Sequence, residues 1–231
     1  MSEMRRMLSY VRRAVDDYDM ISEGDKIAVG VSGGKDSLVL LVLLAELRKY
    51  FNKPFELEAI TIDMGLGMDY SGIEKLCAEL EVPYTIVPTQ IAPIIFEHRK
   101  EKNPCSMCSK MRRGALNQAI LDAGMNKLAL GHHYDDAVET FMMNLFFEGR
   151  LGCFSPVTYL SNRKITLIRP LLYATEKDVN YFANKRALPV QKSLCPEDKH
   201  TERENMKQYL RDFDYKHRGL YRRIRGAVER R

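Results

Sequence analysis

Three groups of residues in this 231-residue chain have types and spacings that could do chemistry. The first is Ser32-Gly33-Gly34-Lys35-Asp36-Ser37, directly after the short β-rich run Lys26 to Val31. A strand that runs into a Ser-Gly-Gly turn and opens a helix gathers backbone N–H groups at the positive end of the helix dipole, which suits phosphate oxygens. Glycines let the backbone approach an anion closely. Lys35 can neutralise phosphate charge, Ser32 and Ser37 can donate hydrogen bonds, and Asp36 can hold Mg²⁺. The loop is neither a Walker A motif, because Asp36 stands where a Ser or Thr must follow the lysine, nor a G-x-G-x-x-G fingerprint.

The second group is Gly131-His132-His133-Tyr134-Asp135-Asp136, after the run Lys127 to Leu130. Acids at a helix start usually cap it, and Asp135 is the expected N-cap. The third is Cys105-Ser106-Met107-Cys108 at the head of another predicted helix, whose N-terminus is expected to favour thiolates. Two thiols so spaced can chelate a metal or a cluster. A structural zinc would want a second Cys-x-x-Cys or a His pair, and neither spacing occurs. Five cysteines, an odd count, argue against a disulfide framework. Cys77 reads as core between Leu76 and Leu80. Cys153 after Gly152 is left open, and Cys195, in Ser-Leu-Cys-Pro, has the setting of a cluster ligand.

The elements that must position these groups follow from periodicity. Ser2 to Tyr18 reads as an amphipathic helix with Met4, Met7, Leu8, Val11 and Val15 on one face. Strands are predicted at Lys26–Val31, Glu56–Ile62, Tyr84–Val87 and Lys127–Leu130. Helices are predicted at Lys35–Tyr50, Ser71–Leu80, Ser106–Ala123 and Asp135–Phe147. Such alternation implies an α/β, doubly wound, mostly parallel sheet with helices on both faces. Beyond Gly149, Ile165–Ile168 is an expected edge strand, Thr175–Arg186 a capped helix, and Glu204–Arg231 strongly helical. The organisation expected is an N-terminal helix (1–24), one α/β domain (25–200) and a basic C-terminal helix (201–231).

The longest apolar run, Leu38 to Ala45, has eight residues, far below the roughly 20 that cross a bilayer. The N-terminus leads into no apolar signal core, so a cytoplasmic protein off the membrane is expected. The net charge of +5 is uneven. Lys216 to Arg231 carries seven Lys or Arg against Glu229, so the rest of the chain is nearly neutral. A neutral body with a basic arm suggests a polyanionic partner, most simply a nucleic acid.

Ser-Gly-Gly-Lys-Asp-Ser after a strand resembles the PP-loop of the N-type ATP pyrophosphatases, and Gly131-His132-x-x-Asp135-Asp136 resembles the other half of that site. Adding Pro-Cys-x-x-Cys, the arginines Arg112 and Arg113 and a distant Cys195, the chain resembles the tRNA 2-thiocytidine synthetase family. The resemblance implies ATP bound by Ser32 to Ser37 with Mg²⁺. It further implies adenine against the main chain of Ile60 to Asp63, and Gly131, His132 and Asp136 beside the phosphates. A [4Fe-4S] cluster would be held by Cys105, Cys108 and Cys195. Catalysis would fall to Lys35, Asp36 and Arg112, the last a basic position between cluster and nucleotide.

The implied partners are tRNA at its anticodon loop and a sulfur donor such as a cysteine desulfurase system, with a homodimer as a candidate assembly. His98-Arg99-Lys100, Arg112-Arg113 and the tail from Lys216 would meet RNA phosphates. Three rivals differ in class: a lysidine synthetase without a cluster, a non-catalytic Fe–S or zinc RNA-binding module, and a thioredoxin-like use of Cys105 and Cys108.

Overall fold

The computed structural model of the chain describes residues 2–99, 104–197 and 201–229. Helix α1 (Glu3–Asp17) precedes β1 (Lys26–Gly30), α2 (Lys35–Arg48), β2 (Glu56–Asp63), α3 (Ser71–Glu79) and β3 (Tyr84–Pro88). A single turn, α4 (Ile91–Pro93), continues as a π-helix over Ile94–Arg99. Then come α5 (Pro104–Asp122), β4 (Lys127–Ala129), α6 (Tyr134–Glu148), β5 (Val157–Leu160) and β6 (Ile165–Ile168). The chain closes with α7 (Glu176–Lys185), α8 (Glu202–Lys216) and α9 (Leu220–Glu229).

The six strands stand in the order β3-β2-β1-β4-β6-β5, all parallel except the β5–β6 pair. Chain direction through the sheet reverses between β1 and β4, so their carboxyl ends leave a crevice of the kind in which open α/β sheets bind ligands. The glycine loop follows β1 and the Gly131 loop follows β4, so both motifs meet at that crevice.

Strand residues alternate between two cores, as the pleat requires. Ile27, Val29, Leu57 and Ala59 face one side with α1, α2, α3 and α7, whereas Ala28, Ile60 and Ile62 face the other with the π-helix and α5. Helix α2 is apolar all round, Leu38 to Ala45 and Leu47 being buried, because it lies between the sheet and the helices α1 and α7. We expect Leu43→Ala, at a side chain with no exposed surface, to lower stability by about 2–5 kcal/mol through the cavity left behind. Urea unfolding of the two proteins checks it, and a loss under about 1 kcal/mol would contradict this packing.

The elements depart from the sequence expectations at four places. Ile165–Ile168 is interior, covered by the unexpected hairpin partner β5. Its buried pattern fits a strand flanked on both sides, which a local pattern does not distinguish from an edge. The irregular stretch before α5 contains the π-helix. The C-terminal helix is two helices, broken at Gly219, whose φ of 85° belongs to the left-handed region. Nor is the basic tail a free arm: Arg225 is buried, and α9 packs on α6 and α8. Lys100, Arg230 and Arg231 lie outside the described residues.

Candidate active site

At the head of α2, Ser37 Oγ donates to the Gly34 carbonyl (2.9 Å) and accepts from the Ser32 N–H (3.2 Å). These bonds fold the loop back on the helix. Gly34 is the N-cap and no side chain caps α2, so its first N–H groups face the crevice unclaimed by a capping side chain. Gly131 comes against this turn so closely that a Cβ there would lie 2.9 Å from the Asp36 carbonyl carbon. Only glycine allows the two loops to touch.

The crevice is a cleft of about 480 Å³. It is lined by Ser32, Gly34, Asp36 and Ser37 of the glycine loop and by Gly131, His132 and Asp136 of the loop packed against it. Ile60, Thr61 and Ile62 form a wall, and Arg112, Cys108 and Cys195 line it too. Four of the expected site residues do not line it: Gly33, Lys35, Asp63 and Cys105. Asp63 instead ties down the following loop, accepting from Gly65 N–H (3.0 Å) and Tyr70 O–H (3.2 Å). The Ile60 carbonyl is taken by the Val31 N–H at 2.9 Å.

Two features fit a nucleotide with a cation. Asp36 Oδ1 is buried without a hydrogen bond, although the Lys35 ammonium is 3.1 Å away as an ion pair. His132 Nδ1 is likewise buried without a partner. Burial brings the His132 imidazole down to about 4, so it is neutral at pH 7 and able to accept a hydrogen bond.

The capping assignment reverses the sequence expectation. His133 is the N-cap of α6, in a reciprocal box with Asp136: the His133 N–H donates to Asp136 Oδ2 (2.9 Å), and Asp136 N–H to His133 Nδ1 (3.5 Å). Asp135 accepts from the Glu176 N–H at 2.7 Å and so holds the start of α7 against α6.

Glu176 does not line the cleft but bears on the glycine loop through Lys35, a link that the local sequence does not signal. It meets Lys35 Nζ at 3.5 Å, Lys207 Nζ at 2.5 Å and Arg211 Nη2 at 3.0 Å, linking the glycine loop to α8. Burial works to raise its carboxyl, but Lys207, Lys35 and His133 outweigh that and hold it at about 2. Burial also works against the Lys35 charge, and Asp36 and Glu176 more than restore it. Arg203 of α8 similarly reaches Asp136 (3.3 Å) and Glu139 (3.6 Å), whose buried carboxyl rises to about 7. The capped start at Thr175 was the only local signal pointing near Glu176.

A carboxyl depressed in the folded state stabilises above its unfolded value and loses that contribution as pH falls through its folded value. The stability difference between wild type and Glu176→Gln is therefore expected to shrink by on the order of 3 kcal/mol as pH falls from about 4.5 to 2. Urea unfolding of the cluster-free proteins across that range measures it; a constant difference would remove Glu176 from the hub.

Helix α5 starts at Pro104, so Cys105 and Cys108 sit on its first turns. Cys195 arrives on a loop fastened to the glycine loop, where the Gln191 N–H donates to the Gly33 carbonyl at 3.0 Å. The left-handed φ of Gly33, 80°, favours glycine there, whereas the nearest neighbour of a Cβ would be the movable end of the Gln191 side chain. The three thiols are near enough to act on one another. Burial raises Cys105, with Cys195 and Glu197 adding to it. Burial raises Cys108 as well, with Arg112 opposing. Burial and the neighbouring thiols, with Glu197 beside Cys105, thus oppose the thiolate preference expected of the helix start.

Among the described residues, no three His, Cys, Asp or Glu side chains gather around the position of a single metal ion. A [4Fe-4S] cluster asks for something else, one soft thiolate on each of several irons; of the three cysteines expected to serve it, Cys108 and Cys195 line the cleft and Cys105 lies on the same first turns of α5 as Cys108. Cys77 is buried in the core. Cys153 donates to the Ala137 carbonyl at 3.3 Å and does not line the cleft.

A family model described as a PP-loop domain matches residues 5–216. The tRNA-cytidine(32) 2-sulfurtransferase of Pelobacter propionicus is 42% identical over 215 residues, spanning 91% of this chain and 80% of that protein. The enzyme of the same name from Methylococcus capsulatus is 35% identical over 97% of this chain and 79% of its own. Among solved structures, the U34-tRNA thiolase NcsA from Methanococcus maripaludis with its [4Fe-4S] cluster superposes with a TM-score of 0.81. It is 28% identical, and the match covers 99% of this chain and 79% of that one.

Proposed function

The chain belongs to the PP-loop family and, within it, to the tRNA sulfurtransferases, and from that premise we propose that it thiolates C2 of an anticodon-loop cytidine at the expense of ATP. The observation that carries this reading is the single cleft lined both by the glycine loop and by Cys108, Cys195 and Arg112. One base placed between them would meet both the ATP and the sulfur.

The N–H groups of Ser32 to Ser37 and the head of α2 hold the triphosphate, with adenine along Ile60 to Ile62. The α-phosphorus then faces the C2 carbonyl oxygen of the base. That oxygen attacks, the P–O bond to the β-phosphate breaks, and pyrophosphate leaves. Activation matters because a ring carbonyl oxygen is a poor leaving group and AMP a good one. Lys35, kept charged by Asp36 and Glu176, stabilises the charge that develops on the phosphates, and Asp36 would hold a Mg²⁺ that supplies further positive charge there. Neutral His132 can accept a hydrogen bond at the phosphate side.

Cys105, Cys108 and Cys195 would hold the cluster. Such a cluster would supply the chemistry of presenting sulfur to the activated base. Arg112, exposed on α5 and lining the cleft, supplies positive charge beside the departing AMP.

Anaerobic reconstitution with ATP, Mg²⁺, sulfide and tRNA, followed by nucleoside mass analysis, tests the reading. The expected product is a cytidine with oxygen exchanged for sulfur, formed together with AMP and pyrophosphate. Full activity in iron-free protein, or a lysine adduct instead of a thionucleoside, would overturn it.

A further inference from the structure

A second concavity, of about 630 Å³, opens beside the cleft. Arg13 and Tyr18 contribute from α1 and its end, Tyr134 from the head of α6, Tyr173 from the segment after β6, and Arg222 and Arg225 from α9. Tyr134 follows His133 directly, and its N–H donates to the Ala174 carbonyl at 2.9 Å. The loop that lines the cleft with His132 therefore lines this cavity with Tyr134. The two hollows thus share one loop, His132 facing the first and Tyr134 the second.

The chemistry of the walls is that of an anion site with aromatic faces. The Arg13 guanidinium lies 3.8 Å from the centre of the Tyr173 ring, and Arg225 lies over Tyr134 (4.2 Å) and Tyr173 (5.0 Å). Both acids in the wall are engaged. Asp17 accepts from the Tyr173 hydroxyl (2.8 Å), and Glu229 from Arg225 Nε (2.6 Å). Arg225 also donates to the Leu172 carbonyl, which fixes it as part of the wall. Arg13 and Arg222, by contrast, have no carboxylate partner among the described residues. A guanidinium lying over a ring keeps its in-plane N–H groups available for two phosphate oxygens.

We propose that this arginine–tyrosine cavity binds the phosphodiester backbone of the RNA substrate and holds it while the target base enters the cleft. The proposal rests on the tRNA reading above and adds a docking surface to it, one built from both ends of the chain. RNA fits better than an acidic protein because the guanidinium forks of Arg13 and Arg222 suit phosphate oxygens, and this wall adjoins, through the loop of His132 and Tyr134, the cleft that the target base must enter.

Full-length Arg13→Glu, Arg222→Glu and the milder Arg13→Gln test it by equilibrium binding of tRNA at several salt concentrations. Each Glu variant is expected to lose roughly 10-fold or more in affinity at low salt. The slope of log affinity against log salt should flatten by about 0.7–0.9 for each phosphate that the variant no longer neutralises. ATP affinity measured without RNA reports on folding and should stay at the wild-type value. Wild-type affinity and slope in all three variants would overturn the proposal and leave the face to an acidic protein. Failure of the wild type itself to bind tRNA would instead remove the tRNA reading, and this proposal with it.

Discussion

Pyrophosphate release from ATP in the presence of tRNA is expected to fall by about 10²- to 10³-fold in Asp36→Ala, the usual loss when one preorganised electrostatic group is removed from an active site. Asp36 combines three features that make its loss severe. Its Oδ1 atom is buried without a hydrogen bond, its carboxylate lines the cleft, and it is the nearest counter-charge to Lys35. Alanine would leave the Lys35 ammonium to Glu176, 3.5 Å away, and draw it toward α7. The fold should tolerate the change, since an acid in the first turn of a helix contributes only about 0.3–1 kcal/mol through the dipole. Asp36→Asn separates shape from charge: a loss as large as that in alanine marks the charge as the working feature. Iron content is expected to stay at the wild-type level in both variants, because Asp36 lies on the glycine loop and the cysteines on other segments. Unchanged pyrophosphate release in Asp36→Ala would refute the assigned role.

What the sequence disclosed, and what it hid, follows from the range of each interaction. The glycine loop was legible because its geometry is written in adjacent residues: Ser37 folds back on Gly34, and Asp36 follows Lys35. The buried helix α2 was legible from its apolar run for the same reason. Glu176 was not, because its partners Lys35, Lys207 and Arg211 come from distant segments that only the folded sheet brings together. The capping of α6 was misread by a shift of two residues, from His133 to Asp135, within the ordinary uncertainty of a helix boundary. With His133 as the cap, Asp136 becomes its partner in the capping box while still lining the cleft, and Asp135 is left to hold the start of α7. Sheet order is equally non-local. Nothing in Ile165–Ile168 tells that Val157–Leu160 will lie outside it. Arg225 carries the same lesson for charge, since an apparently solvated basic residue became a buried wall between Tyr134 and Tyr173.

Cys195→Ala is expected to leave the protein without iron while preserving its fold. Cys105 and Cys108 share the first turns of α5, so that pair depends on one helix. Cys195 is different in kind. It comes from a separate loop that is fixed to the ATP side of the cleft through Gln191 and Gly33, and the Cys195 N–H itself donates to Ser193 Oγ at 3.2 Å. A third thiolate from an independent segment closes the donor set, and two alone leave two irons without protein ligands. The substitution removes a half-buried thiol outside the hydrophobic core, so unfolding by urea should shift by no more than about 0.5 kcal/mol in the cluster-free protein. Iron and acid-labile sulfide, measured after anaerobic purification, read out the site, with Cys153→Ala and Cys77→Ala as comparisons. Both of those should keep their iron. Cys153 is turned to the Ala137 carbonyl, and Cys77 is sealed in the core with its thiol pushed up to about 11 by burial. Full iron in Cys195→Ala, with loss in Cys153→Ala, would move the third ligand to the loop after Gly152. It would also break the link between the cluster and the glycine loop that a single cleft requires.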